Sequence, residues 1–206
     1  MCQPQRTDVE PVDGDVYRSR RRFLATLANL GVTGTVALGG GLIPASTVWA
    51  ASQRSWRFCR KCNVMFFDGY PNKGVCSAGG GHVAQGYNFD LTYDVPESPT
   101  AQGAWRYCHR CHVMFFDGYA DKGACAAGGG HVAAGYVFVL RHDVPPSGLM
   151  QPAWRFCNKC HVMFFDGYPS KGRCPRGGGH VAQGYNFALR FRGNLEDDVA
   201  LNPVRD

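Results

Sequence analysis

From Trp56 onward, short apolar runs alternate with turns rich in glycine and cysteine. Trp56-Arg57-Phe58 and Val64-Met65-Phe66-Phe67 flank a Cys59-x-x-Cys62 turn. Aromatic and β-branched residues on both sides of a tight turn predict two short strands joined at the cysteines. Asp68-Gly69-Tyr70 ends the second run with turn chemistry. A loop follows that carries Cys76 and Gly79-Gly80-Gly81-His82. Beyond it, Tyr87, Phe89, Leu91 and Tyr93 occupy every second position, the period of a strand with one buried face. No stretch after residue 50 shows an apolar period of 3.6 over helical length, so the predicted class is all-β.

The whole pattern recurs. Trp56, Trp105 and Trp154 are spaced 49 residues apart, as are Cys59, Cys108 and Cys157. Each copy runs for 38 residues (56–93, 105–142 and 154–191), and 24 of those positions hold the same residue in all three. With spacers included, the divisions are 51–104, 105–153 and 154–206. A unit of this size cannot enclose its dozen large apolar groups alone. Packing three together would bury them, and equal spacing suits a pseudo-threefold, β-trefoil-like body. The alternative is three metal-pinned modules on the Pro-rich spacers at 96–99 and 145–148.

Cysteine arithmetic adds chemistry to this frame. The chain has ten cysteines, nine of them after residue 50 and three per copy, an odd number that leaves one thiol over if pairs form within a copy. The pattern is Cys-x2-Cys-x13-Cys-x5-His: Cys59, Cys62, Cys76, His82; Cys108, Cys111, Cys125, His131; Cys157, Cys160, Cys174, His180. Three thiolates and an imidazole form a closed tetrahedral set for zinc, one ion per copy. The glycines before each histidine let the loop fold back toward the first two cysteines. The Cys-x-x-Cys turn resembles the knuckle of zinc ribbons and rubredoxin, although those end in a second Cys-x-x-Cys where this chain has Cys-x5-His. The competing readings are disulfide or redox use of the Cys-x-x-Cys pair, and a metal other than zinc. His112 and His161 follow the second cysteine in copies two and three where copy one has Asn63, so they make poor ligands, while His109 and His142 occur once each and read as surface residues.

The first fifty residues read differently. Ser19-Arg20-Arg21-Arg22-Phe23-Leu24 resembles the twin-arginine (Tat) export signal, carried by Arg20, Arg21, Phe23 and Leu24, with Ala25 where that family often has Lys. A Gly-rich, moderately apolar segment follows, expected to form a signal helix, and Val48-Trp49-Ala50 fits a cleavage site. Residues 1–50 are therefore expected to be a Tat signal peptide read by the Tat translocase, leaving no membrane span after cleavage; the alternative is an uncleaved N-terminal anchor, for which the segment is only weakly apolar. The rest is then periplasmic or secreted. That route is understood to carry folded proteins, so thiolate sites could load with metal in the reducing cytoplasm.

Charge narrows the partners. Formal net charge is +6 for the whole chain, and residues 51–206 carry 17 Lys/Arg against 12 Asp/Glu. Three zinc sites at −1 each bring the +5 of that segment to about +2, too little for a nucleic-acid footprint. Repeated groups with no evident structural duty are Arg57, Asp68, Tyr70 and Lys73 with their equivalents. Asp68, Tyr70, Lys73, with Asp117, Tyr119, Lys122 and Asp166, Tyr168, Lys171, are candidate ligand-binding residues for a glycan or another polar surface ligand. Gln85 and Asn88 recur as Gln183 and Asn186 but are Ala134 and Val137 in copy two, so a site using them would be degenerate there. The expected function is a multivalent, non-catalytic binding module. The alternatives are a thiol oxidoreductase or metal-dependent enzyme, and a structural envelope protein. No Ser-His-Asp set or carboxylate pair stands out. The copies also resemble Cys- and Gly-rich repeats of unassigned function in secreted microbial proteins, which implies export but no activity.

Overall fold

A computed structural model describes residues 51–192. The export segment, with Arg20, Arg21, Phe23 and Leu24, lies outside the described residues, as does the tail after Arg192. Nine strands are present among the described residues, three per copy, and no helix. They are β1 (Ser52–Cys59), β2 (Met65–Phe67) and β3 (Ala84–Thr92); β4 (Ala101–Cys108), β5 (Met114–Phe116) and β6 (Ala133–Arg141); β7 (Met150–Cys157), β8 (Met163–Phe165) and β9 (Ala182–Arg192).

Within a copy the first strand lies in the middle and pairs antiparallel with the other two. Trp56 stands opposite Phe67 on one side and Phe89 on the other, and Trp105 and Trp154 have the same neighbours. A register shift before each tryptophan places Ser55, Ala104 and Ala153 at φ 67°, 58° and 67°. Such a bulge turns the following side chain inward. Each indole N–H is then satisfied locally: Trp56, Trp105 and Trp154 Nε1 donate to Gln53, Gln102 and Gln151 Oε1 at 3.1, 3.2 and 3.1 Å. A buried tryptophan needs such a partner.

The copies close on one another as a ring. Phe67 N donates to His112 O, Phe116 N to His161 O, and Phe165 N to Asn63 O, each at 2.8 Å, linking first to second, second to third and third to first. The aromatic core follows the same cycle. Trp56 meets Phe138 edge-on at 5.1 Å, Trp105 meets Phe187 at 5.1 Å, and Trp154 meets Phe89 at 5.2 Å. Each copy therefore completes its hydrophobic core with a neighbour's strand, and the pseudo-threefold body expected from the spacing is realised. Three modules on linkers would leave these tryptophans wet. At the outer ends, Asp94 N and Asp143 N donate to Val137 O and Asn186 O (2.8 and 2.9 Å), while β3 and β9 pair directly through Phe89 and Phe191.

His142 departs from the sequence expectation. It is 4% exposed and stacks on Tyr185 at 3.7 Å, in the place where Tyr93 stacks on Tyr136 and Phe191 on Tyr87. An imidazole is flat and aromatic enough to substitute for a phenyl ring in that stack, so this position is interior. His109 is exposed, as expected.

One glycine per copy makes the closure possible. Gly74 has φ +66°, and a Cβ there would come within 2.3 Å of Cys111 O; Gly123 and Gly172 stand in the same relation to Cys160 O and Cys62 O. Gly86 has nearly the same φ, +69°, but faces open space. Gly86→Ala is therefore expected to cost only the left-handed penalty of about 1–2 kcal/mol. Gly74→Ala should cost that plus a clash with backbone, at least about 3 kcal/mol in all. Chemical denaturation of the two variants checks the difference, and equal midpoints would contradict the close approach.

Candidate metal centres

The Cys-x-x-Cys turn is built by backbone hydrogen bonds. Cys59 N donates to Val64 O at 3.0 Å and Asn63 N to Cys59 O at 2.8 Å, with Asn63 in the left-handed region at φ 63°. That geometry points both sulfurs to the same side. The glycine loop approaches from the opposite direction. Cys76 N donates to Gly80 O and Gly79 N to Cys76 O, and His82 N to Lys73 O. Lys61 Nζ spans the gap by donating to Gly79 O and Gly81 O, Lys159 does the same with Gly177 O and Gly179 O, and Arg110 donates to Ala127 O in its loop.

Three clusters result: Cys59, Cys62, Cys76 and His82; Cys108, Cys111, Cys125 and His131; Cys157, Cys160, Cys174 and His180. All twelve residues are buried, and within each cluster the ligand atoms lie within 4.8 Å of one another. The nine cysteines are free thiols. In copies one to three the histidine Nδ1 sits 3.6, 3.4 and 3.4 Å from Cys62, Cys111 and Cys160 Sγ. Tetrahedral zinc with bonds near 2.3 Å to sulfur and 2.0–2.1 Å to nitrogen would set that separation at about 3.6 Å. The donor set, its closure and its spacing all fit a structural metal.

The electrostatics of the clusters also call for a cation. Hydrogen bonding to Cys59 and Cys76, then burial and the charge on those neighbours, push the Cys62 thiol far up. Hydrogen bonds from Cys62 and Cys76 draw Cys59 far down, against the effect of burial. In copy three, Cys157 falls to about 3 because Cys160 hydrogen-bonds to it, and Cys160 rises. Thiols this close cannot all ionise unaided, and a divalent ion would remove the conflict. The histidines face opposed forces. Burial disfavours the charged ring, but hydrogen bonds and charge from the thiolates prevail and lift His82, His131 and His180 to about 9.

Each ligand histidine reaches beyond its own copy. His82 Nε2 donates to Cys111 O at 3.0 Å, His131 Nε2 to Cys160 O at 3.1 Å, and His180 Nε2 to Cys62 O at 3.1 Å. With Nε2 as donor, Nδ1 is the nitrogen that faces the thiols, the tautomer a metal needs. The rings also stack on Phe66, Phe115 and Phe164 at 4.8–5.0 Å. The position after each second cysteine serves the same junctions. Asn63 Nδ2 donates to Ser170 O (2.8 Å), His161 Nδ1 lies 3.1 Å from Asp121 O, and the His112 ring meets Tyr70 of copy one edge-on at 5.9 Å, its Nδ1 buried without a hydrogen-bond partner. His161 thus ties copies two and three together by a hydrogen bond and His112 packs at its junction, and both stand outside the ligand sets, in line with the variable residue type there.

The other repeated groups fall in two places. Lys73 Nζ pairs with Asp68 Oδ1 at 2.7 Å and also donates to Asp68 O; Lys122–Asp117 and Lys171–Asp166 repeat this at 2.8 and 2.7 Å. These pairs tie down the loop that carries Tyr70, Tyr119 and Tyr168, whose rings are 48–53% exposed. Arg57, Arg106 and Arg155 donate to Gly86, Gly135 and Gly184 O and hold the start of each third strand. Asn88 and Asn186 Oδ1 accept from Ser55 N and Ala153 N at the bulges, both at 2.9 Å. Each tyrosine lies against the next copy: Tyr119 is 6.0 Å from Phe156 and Tyr168 is 5.8 Å from Phe58, centroid to centroid.

Gln53, Gln102 and Gln151 lie just before the 38-residue repeat, and their recurrence at 49-residue spacing is the signal that marks them. No protein-family model, curated protein or solved structure matches this chain.

Proposed function

We propose that this chain is an exported repeat protein in which three zinc ions hold a rigid β body together and the surface of that body binds polar ligands, carbohydrate above all, without turning them over. The observation that carries the reading is the closure of the three Cys3His clusters. Four protein donors, all buried, leave no coordination position for substrate or water. Such sites stabilise; they do not catalyse. Thiol exchange is also disfavoured, because an attacking cysteine needs access and Cys59 and Cys62 are 0% and 1% exposed. Export rests on the Arg20-Arg21 signal.

What repeats at the surface is an exposed tyrosine on a salt-bridged loop, once per copy. Several weak, similar sites on one rigid frame give avidity for a polymeric target. The test is a panel of polysaccharides run beside an insulin-reduction assay on the purified protein. Retention on at least one polysaccharide with no reductase activity is expected. Reduction of insulin that depends on Cys59 and Cys62 would make the thiols catalytic and overturn the reading.

A further inference from the structure

The junctions between copies contain clefts of a definite chemistry. Where copies two and three meet, a cleft of about 240 Å3 has Phe116, Tyr119, Phe156 and Tyr185 among its walls, with Gln102 and Gln183. Where copies three and one meet, the equivalent cleft is about 370 Å3, with Phe165, Tyr168, Phe58 and Tyr87, and with Gln151 and Gln85. None of the residues lining either cleft is charged. The Gln102 and Gln151 amides are held in place, since their Oε1 atoms accept the indole N–H of Trp105 and Trp154. That leaves the amide –NH2 of each free to donate. Gly184 and Gly86 line the same clefts, held by Arg155 and Arg57.

The third junction, between copies one and two, departs at the corresponding positions. Ala134 stands where the others have Gln183 and Gln85, and Tyr107 stands where they have Phe156 and Phe58. One amide is lost, and a phenol hydroxyl is added beside Tyr70, whose ring centroid is 6.3 Å away.

We infer that the two matching junctions each take one ring of a neutral sugar polymer, and that the third does not. The inference rests on the binding reading above and names its sites. Aromatic walls suit the apolar C–H face of a pyranose, and two amides per cleft can donate to and accept from its hydroxyls. Both volumes lie toward or below the lower end of the roughly 300–1,000 Å3 of small-molecule pockets, which fits a single ring. Absence of charge favours a neutral sugar. Proline-rich peptides also dock on tyrosine-lined grooves, but they need an extended track and gain little from paired amides.

The experiment is calorimetric titration of the full metal-loaded protein with neutral di- to tetrasaccharides (gluco-, manno-, galacto- and xylo-oligomers), with a proline-rich peptide in parallel. The expected stoichiometry is two per chain for the oligosaccharide that binds. Tyr119→Ala and Tyr168→Ala should each reduce it to one and weaken retention on the parent polymer about a hundredfold, by loss of bivalency. The double variant should bind none. The pair Tyr107→Phe and Ala134→Gln should raise the number to three. Unchanged metal content and a melt that stays cooperative, at a temperature lowered by the lost contacts of Tyr119 with Phe156 and Tyr168 with Phe58, show that the variants fold.

A stoichiometry of three in the unaltered protein would overturn the two-cleft assignment. Binding that persists in the double variant would place the ligand elsewhere and sink the clefts while leaving a carbohydrate-binding protein. Binding of the peptide with no saccharide bound would overturn the sugar assignment and the carbohydrate reading together.

Discussion

Replacing Cys76 with Ser is expected to empty one metal centre and unfold the entire three-copy body. A serine hydroxyl is a poor ligand for a soft site, so copy one would be left with three donors. Zinc bound to such sets contributes roughly 10–16 kcal/mol of apparent folding free energy. A domain of this size has only about 5–15 kcal/mol in hand. The loss would also spread. His82, freed from the metal, would no longer hold its ring edge-on to Cys111 O, and the stack with Phe66 beneath it would loosen. Cys111 belongs to the next metal set, so one empty site disturbs the turn that carries another. Metal analysis should give close to three zinc ions for the unaltered protein and fewer than one for the variant. Circular dichroism should lose its cooperative melt. A variant that keeps two ions and melts at the original temperature would show that each centre is only a local pin. A native protein without metal, its thiols oxidised in pairs, would remove the zinc reading itself.

Much of this architecture is legible in the sequence because the repeat supplies its own comparison. Alternation in Tyr87, Phe89 and Leu91 located β3, and the apolar runs on either side of Cys59-x-x-Cys62 located β1 and β2. What alternation could not show is which copy each aromatic face meets. Trp56 has a partner 82 positions away in Phe138, and nothing local encodes that choice. The bulges at Ser55, Ala104 and Ala153 were hidden for a related reason. The residue type there varies and carries no glycine, so the left-handed backbone is imposed by the Trp–Gln hydrogen bond and, in copies one and three, by the asparagine that accepts from the bulged amide.

For the candidate site, spacing alone assembled the twelve cluster residues, since ligands must come from positions that recur together. Function at the surface was harder to read. Asp68 and Lys73 read from the sequence as turn and solvated groups or as ligand contacts, and five residues of separation gave no hint that they close on each other at 2.7 Å. His142 looked exposed because it is polar and unique. Its place in the repeat, aligned with Tyr93 and Phe191, was the signal that it stacks in the interior. Position within the repeat carried more information than residue type.

An excised copy, residues 51–104 produced alone, is expected to bind one zinc ion weakly and to remain without a cooperative fold. Its own four donors are intact, so the metal would still find a knuckle and a histidine. What it lacks is the other half of its core. Trp56 is fully buried in the whole protein, and much of that burial comes from Tyr107 and Phe138 of the next copy. Phe58 in turn is covered by Trp154, Phe165 and Tyr168 of the third. Exposing two such side chains forfeits about 1.5–3 kcal/mol each, and the Phe67-to-His112 and His82-to-Cys111 hydrogen bonds vanish as well. A chain of this length has little reserve to absorb that loss. Three separate copies mixed at high concentration should recover part of the signal, because the junctions are complementary in cyclic order. Dispersion of amide signals in the NMR spectrum and the affinity for zinc, at least tenfold below that of the whole protein, are the quantities to measure. A dispersed spectrum and full affinity in the single copy would mean that each repeat is an autonomous zinc module and that the shared aromatic core is incidental to folding.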